Sequence, residues 1–162
     1  MKNIVIKKNH LPKQEFKKLK DLLMNYDFPW FYASFIANPN DKNGFHFFHL
    51  LYDNEKVNSD YYDIVLNPLL KKQKYKKLIR AKCNLYSLRE QSIKSDYHID
   101  NSFPHKVLLY SVNTNNGYTL FENGQKIQSI ENQLIIFDGS MRHCSVSQTD
   151  ENIRVNININ PL

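Results

Sequence analysis

His98-Ile99-Asp100 sets an imidazole and a carboxylate two positions apart. Successive side chains in a strand alternate faces, so His98 and Asp100 point one way and Ile99 the other. A neutral ring nitrogen and an ionised oxygen converging on one face can share a metal ion. A second imidazole, His143, follows the apolar run QLIIFD and a DGS turn, and opens another strand. Eleven positions later comes Arg154, inside the strictly two-faced stretch Asn152-Ile153-Arg154-Val155-Asn156-Ile157-Asn158-Ile159-Asn160. Ile153, Val155, Ile157 and Ile159 pack one way, while Arg154, Asn156, Asn158 and Asn160 point the other. That polar face is either solvent-exposed or lines a polar cavity, and the strand alone leaves both readings open.

Taken together the four residues are more specific. Two His and one carboxylate on one side of an iron, with open positions opposite, form the facial triad of non-haem Fe(II) oxygenases. An Arg beside such a centre offers a planar fork that binds a carboxylate bidentately. With His98, Asp100, His143 and Arg154 in that order and each on a predicted strand, the sequence resembles the Fe(II)/2-oxoglutarate-dependent dioxygenases. The likeness spans roughly residues 78 to 159.

Further positions resemble the prolyl-hydroxylase-like branch of that family. Tyr86 in NLYSL stands where the branch carries a Tyr facing the cosubstrate, and Tyr110 in VLLYSVN stands where it carries another. Asn116-Gly117-Tyr118-Thr119-Leu120-Phe121 is a degraded G-G-x-T-x-F, and the G-x-G-x-x-Y approach to H-x-D is absent, so a prolyl substrate does not follow. The resemblance implies Fe(II) held by His98, Asp100 and His143. It also implies 2-oxoglutarate as cosubstrate, its far carboxylate on Arg154 with help from Tyr110 or Thr119, and Tyr86 and Asn156 beside it. O₂ would be the other reactant and hydroxylation of a C–H bond the outcome, on a peptide or small molecule in preference to nucleic acid.

Positioning these residues takes a β-rich scaffold. From Leu78 onward LIRAKCNLYSL, DYHID, KVLLYSV, YTLFE, QKIQS, QLIIFD, CSVSQ and IRVNINI read as strands separated by turn chemistry such as NTNNG, ENGQ and QTDEN. Eight short strands at close spacing predict an antiparallel sandwich or barrel. Upstream, Ile4 and Ile6 mark a short strand. Phe16, Leu19, Leu22, Leu23 and Tyr26 recur at helical spacing from about residue 12 to 25. Trp30–Phe35 and Phe45–Tyr52 read as strands, and Asp60 to Lys72 as a second helix with Tyr61, Ile64, Val65 and Leu69 on its apolar side. The expected fold is therefore α+β, mainly β: a double-stranded β-helix (jelly roll) over residues 78–162, buttressed by helices from residues 1–77. At 162 residues this is the size of one domain.

Composition excludes several classes. Hydrophobic residues at 41% and charged at 23% argue against disorder and fibrous repeats. The most apolar stretch, Phe28–Ala37, is too short to span a bilayer and holds Pro29. The N-terminal apolar run is too short for a signal peptide, and Cys83 and Cys144 form no disulfide framework. A cytoplasmic protein with buried thiols is expected. The net charge is +6, and the cluster Lys71–Lys77 reads first as a solvated helix end, and second as a surface for an acidic partner or a phosphate backbone. His46 and His49, three apart, fall on opposite faces of a strand and read as core or edge residues. His105 reads as a surface residue, and Arg142 as pointing away from His143.

Two competing functions are open at this level. Arg154-Val155-Asn156 resembles the start of the R-x-N-x-x-x-R ending of oxidative demethylases of alkylated nucleic-acid bases, although Asn160 replaces the second Arg. A non-enzymatic jelly-roll binding module requires His98, Asp100 and His143 to lie far apart.

Overall fold

The computed structural model of the chain describes residues 3–162. In chain order its elements are β1 (Val5–Lys7), α1 (Lys13–Leu23), β2 (Phe31–Ala33), β3 (His46–Asp53), β4 (Lys56–Val57), α2 (Tyr62–Leu70), β5 (Leu78–Ser87), β6 (Lys106–Ser111), β7 (Tyr118–Phe121), β8 (Lys126–Gln128), β9 (Gln133–Asp138), β10 (His143–Val146) and β11 (Ile153–Pro161). The larger antiparallel sheet runs β1-β9-β6-β11-β5-β3-β2, with β4 on β3, and the smaller runs β10-β7-β8. Bridges Lys94–Val146 and His98–His143 lay the segment before β6 alongside β10 as an irregular fourth member of the smaller sheet. The architecture is the expected jelly roll with helical support.

Hydrophobic alternation decides what each face covers. Pro12, with φ near −54°, stands at the start of α1, where its missing N–H is harmless. Leu19 and Leu23, one turn apart, are buried, as are Val65, Leu66, Leu69 and Leu70 of α2. They pack against Ala81 and Cys83 of β5, Tyr110 of β6, and Val155, Ile157 and Ile159 of β11 to form the main core. A second core, built on Val107, Phe121, Ile127, Ile135 and Phe137, fills part of the space between the sheets. Both faces of β11 are therefore buried, one under the helices and the other inside the roll.

Several local expectations change. The pairs Val65-Leu66 and Leu69-Leu70 centre the apolar stripe of α2 nearly opposite Ile64, which is 58% exposed. Tyr26 lies beyond the end of α1 and faces solvent. β4 joins β3 through Asn54 and Glu55, both at positive φ (51° and 60°), a two-residue hairpin whose Glu gives no turn signal in sequence. The strand expected at DYHID is reduced to a single bridge at His98. Just upstream, hydroxyls replace ladder carbonyls: Ser95 Oγ accepts from the Ser145 N–H, and Ser147 Oγ from the Ile93 N–H. The strand expected over Trp30–Phe35 stops at Ala33, and Phe35, Ile36 and Ala37 turn over the interior instead. That loop is tied by buried Asp41, which accepts from the N–H groups of Ala37 (3.1 Å), Asn43 (2.9 Å) and Asp96 (3.2 Å). No helix among the described residues is long and apolar enough to cross a membrane. The Lys71–Lys77 cluster follows α2 and is largely exposed, with Lys71 paired to Glu15 and Lys77 to Glu55.

Candidate metal centre and its cavity

Residues directly opposite one another in an antiparallel pair share a face. The register of β11 on β5 sets Arg154 beside Tyr86, Asn156 beside Asn84, Asn158 beside Lys82 and Asn160 beside Arg80. All of these side chains except Asn160 form the floor of a cavity of about 310 Å³ between the sheets, roofed by Thr119 and Ser145 of the smaller sheet and by His98, Asp100 and His143. The polar face of the last strand thus lines a cavity.

His98, Asp100 and His143 offer one donor atom each, all within 4.8 Å of one another. Reciprocal backbone hydrogen bonds between His98 and His143, both 3.0 Å, hold the two imidazoles side by side with ring centroids 4.7 Å apart. His98 Nε2 lies 3.9 Å from Asp100 Oδ1. The outer nitrogens are engaged: Nδ1 of His98 meets the Asp96 carbonyl at 3.1 Å, and Nδ1 of His143 the Met141 carbonyl at 3.0 Å. A carbonyl can only accept, so each Nδ1 carries the proton and each Nε2 lone pair is left for a metal. Asn158 and Asn160 donate to Asp100 Oδ2 at 3.1 and 3.0 Å, leaving Oδ1 toward His98. Burial would raise the Asp100 carboxyl, but His143, Arg80 and the two amides outweigh it and hold it at about 2. Burial keeps His143 below the ordinary imidazole value, so both buried donors favour the metal-binding protonation state at neutral pH. The donor set suits a divalent first-row ion.

Arg154 lies four residues from Asn158 on the same face, about 13 Å along the strand. Its Nη1 donates to Ser145 Oγ (3.0 Å) and to the Val146 carbonyl (2.8 Å), which ties the two sheets together. Its Nε is buried without a partner among the described residues. The Tyr86 ring lies 5.5 Å from the guanidinium carbon. An orphaned donor on a buried guanidinium, in line with a metal-ligand triad, fits one end of a short diacid.

The structure also redistributes roles. Tyr110 pairs with Ile157, on the helix-facing side of β6, and its hydroxyl donates to Asn132 Oδ1 at 2.9 Å. Its neighbour Leu109 faces the cavity instead, which corrects the expectation that Tyr110 touches a cosubstrate. Tyr86, Thr119, Asn156 and Arg154 all line the cavity, and Asn156 accepts from Asn84 at 2.9 Å. His46 and His49 do face opposite ways. His46, though, forms cavity wall and stacks on Tyr86 with centroids 5.6 Å apart, while His49 bonds the Pro29 carbonyl and Ser59. His105 is buried rather than exposed, held by the Phe103 carbonyl and packed flush on Gly139. Arg142 turns outward to Glu122. Sequence reasoning missed Arg80, Lys82 and His46 as cavity residues, and Asn158 and Asn160 as the holders of Asp100.

No protein-family model matches the chain, and no curated protein matches it in sequence. Solved structures do match. An oxidoreductase of the 2OG-Fe(II) oxygenase family from Burkholderia pseudomallei superposes with a TM-score of 0.70 at 13% identity, covering 98% of this chain and 85% of that one. The fold is that of the 2OG-Fe(II) oxygenases. A prolyl hydroxylase from Trichoplax adhaerens, in complex with a hypoxia inducible factor peptide, gives a TM-score of 0.65 at 15% identity over 98% of this chain and 83% of that one. A Pseudomonas putida prolyl-4-hydroxylase gives 0.63 at 8% identity over 100% and 94%. The oxygenase fold therefore extends over essentially the whole chain, including the N-terminal helices.

Proposed function

We propose that this chain is an Fe(II)- and 2-oxoglutarate-dependent oxygenase that hydroxylates a C–H bond of a small molecule or a peptide side chain. The carrying observation is the convergence of His98, Asp100 and His143 in one cavity with the buried guanidinium of Arg154. Held by these residues, Fe(II) and 2-oxoglutarate would supply the oxidant for hydroxylation: of the four electrons that reduce O₂, two would come from conversion of 2-oxoglutarate to succinate and CO₂ and two from the substrate C–H, which becomes C–OH.

The protein's part is to bind and orient. His98 and His143 present Nε2, Asp100 presents Oδ1, and the amides of Asn158 and Asn160 keep that carboxylate ionised and fixed. Arg154 takes the far carboxylate of 2-oxoglutarate, with Thr119 and Tyr86 beside it. The stretch 35–37, pinned by Asp41, shields the cavity from bulk water, which strengthens each electrostatic contact inside. At 310 Å³ the cavity is at the small end of ligand sites. It suits a reacting group of side-chain size.

Anaerobic addition of Fe(II) and 2-oxoglutarate should produce a visible charge-transfer absorption that His98→Ala abolishes. An unchanged spectrum in the wild-type protein overturns the reading.

A further inference from the structure

Five charged side chains line the cavity: Asp53, Arg80, Lys82, Asp100 and Arg154. On the oxygenase reading, Arg154 offsets the far carboxylate of 2-oxoglutarate, and Fe(II) offsets its other carboxylate together with Asp100. Asp53, Arg80 and Lys82 are left over, with a net charge of +1. Their placement is directional. In register, Arg154 lies beside Tyr86 at one end of β5, while Lys82 and Arg80 lie beside Asn158 and Asn160, the two residues that hold Asp100. The leftover charge is therefore gathered at the triad and the end of the cavity away from Arg154.

That charge is poorly satisfied within the protein. Lys82 has no hydrogen bond or ion pair among the described residues, and no carboxylate side chain opposes it across either neighbouring strand: the facing residues are Asn158 and Leu50. Arg80 reaches Asp100 Oδ1 only at 3.5 Å, and its Nε is buried without a partner. Asp53 faces Arg80 in register without forming an ion pair with it. The electrostatics of the surroundings agree. Burial, and then the charge of Lys82, push His46 down to about 4, so the cavity wall adds a neutral ring and no further cation.

We propose that the primary substrate carries a carboxylate, bound by Lys82 with Arg80 on the side of the metal ligands away from Arg154. A leftover charge of +1 matches a monoanion, whereas a phosphate dianion overshoots it. Lys82 supplies a compact ammonium and Arg80 a donor fork, and the apolar Phe48, Leu50 and Ile99 nearby suit the carbon skeleton that bears the acid. The inference rests on the oxygenase reading, because the charge count includes Fe(II) and 2-oxoglutarate.

The test is calorimetric and uses protein loaded with Mn(II) and 2-oxoglutarate, recorded first for each variant. The probes are N-acetyl-aspartate methylamide against N-acetyl-asparagine methylamide, and butyrate against butyramide. The acid of at least one pair should bind about tenfold or more tighter than its amide. Lys82→Met should erase the preference and Lys82→Arg should retain it. A stronger preference in the aspartate pair places the carboxylate on a peptide side chain, and a stronger one in the butyrate pair on a free acid. Equal binding of acids and amides, no acid binding at millimolar concentration, or a preference that survives Lys82→Met overturns the proposal. Failure of Mn(II) or 2-oxoglutarate to bind at the outset overturns the oxygenase reading as well, so the two failures are distinguishable.

Discussion

Lys82→Met keeps the length of the side chain and removes its ammonium from the cavity wall. Burial first, and the charge of Arg80 second, pull that ammonium from the ordinary lysine value near 10.5 to about 8, against the raising influence of Asp100. At about 1.4 kcal/mol per tenfold change in proton affinity, the depression corresponds to roughly 3 kcal/mol of destabilisation while the group is charged in both states. Cavity water and side-chain relaxation reduce this, so Lys82→Met should stabilise the metal-free protein by about 1–3 kcal/mol at neutral pH. The pH dependence has a definite sign. Below pH 8 the folded and unfolded chains both hold the proton and the full penalty stands. Between about 8 and 10.5 the folded chain releases a proton that the unfolded chain keeps, so wild-type stability rises with pH and the advantage of Met shrinks. Urea denaturation of both proteins at neutral pH and at about pH 9.5, in buffer free of metals and small acids, measures the difference directly. A variant no more stable than wild type at neutral pH, or a gain that stays constant with pH, would refute the reasoning and mean that the ammonium already has a partner.

Tyr110→Phe should cost about 1 kcal/mol of stability through the lost hydrogen bond to Asn132, with 2-oxoglutarate affinity unchanged in a calorimetric titration. Weakened 2-oxoglutarate binding would restore Tyr110 to the site. Gly139→Ala places a Cβ 2.2 Å from the His105 ring and should lower stability by about 1–3 kcal/mol in the same denaturation assay; a neutral result would show that His105 swings aside freely. Mn(II) binding should be retained at neutral pH, since burial keeps His143 below the ordinary imidazole value and Asp100 stays ionised to about 2. Loss of affinity already at neutral pH would contradict those protonation states.

The parts of the site that sequence made legible are those where polarity alternates. Ile153 to Asn160 switches character at every step, so its two faces are separable on inspection, and His98-Ile99-Asp100 needs only strand geometry to converge. Val107-Leu108-Leu109-Tyr110 is apolar on both faces because both are buried. Alternation is silent there, and only the pairing of Tyr110 with Ile157 reveals which way the ring points. His46 sits in a run of the same kind. Arg80 and Lys82 alternate with Ile79, Ala81 and Cys83 in the way a half-exposed strand would, so nothing local distinguishes solvent from an internal cavity. The grip of Asn158 and Asn160 on Asp100 joins residues 58 and 60 positions apart, beyond the reach of any local pattern.

β11 is a partition one residue thick. Val155 and Ile157 are bedded against the helices while Arg154, Asn156 and Asn158, their immediate neighbours, face the cavity. Repacking beneath the helices should thus be felt across a single pleat by Arg154 and Asn156 and by the amide of Asn158 that steadies Asp100. Variation in α1 and α2, neither of which lines the cavity, should perturb metal binding there as readily as changes at the cavity mouth.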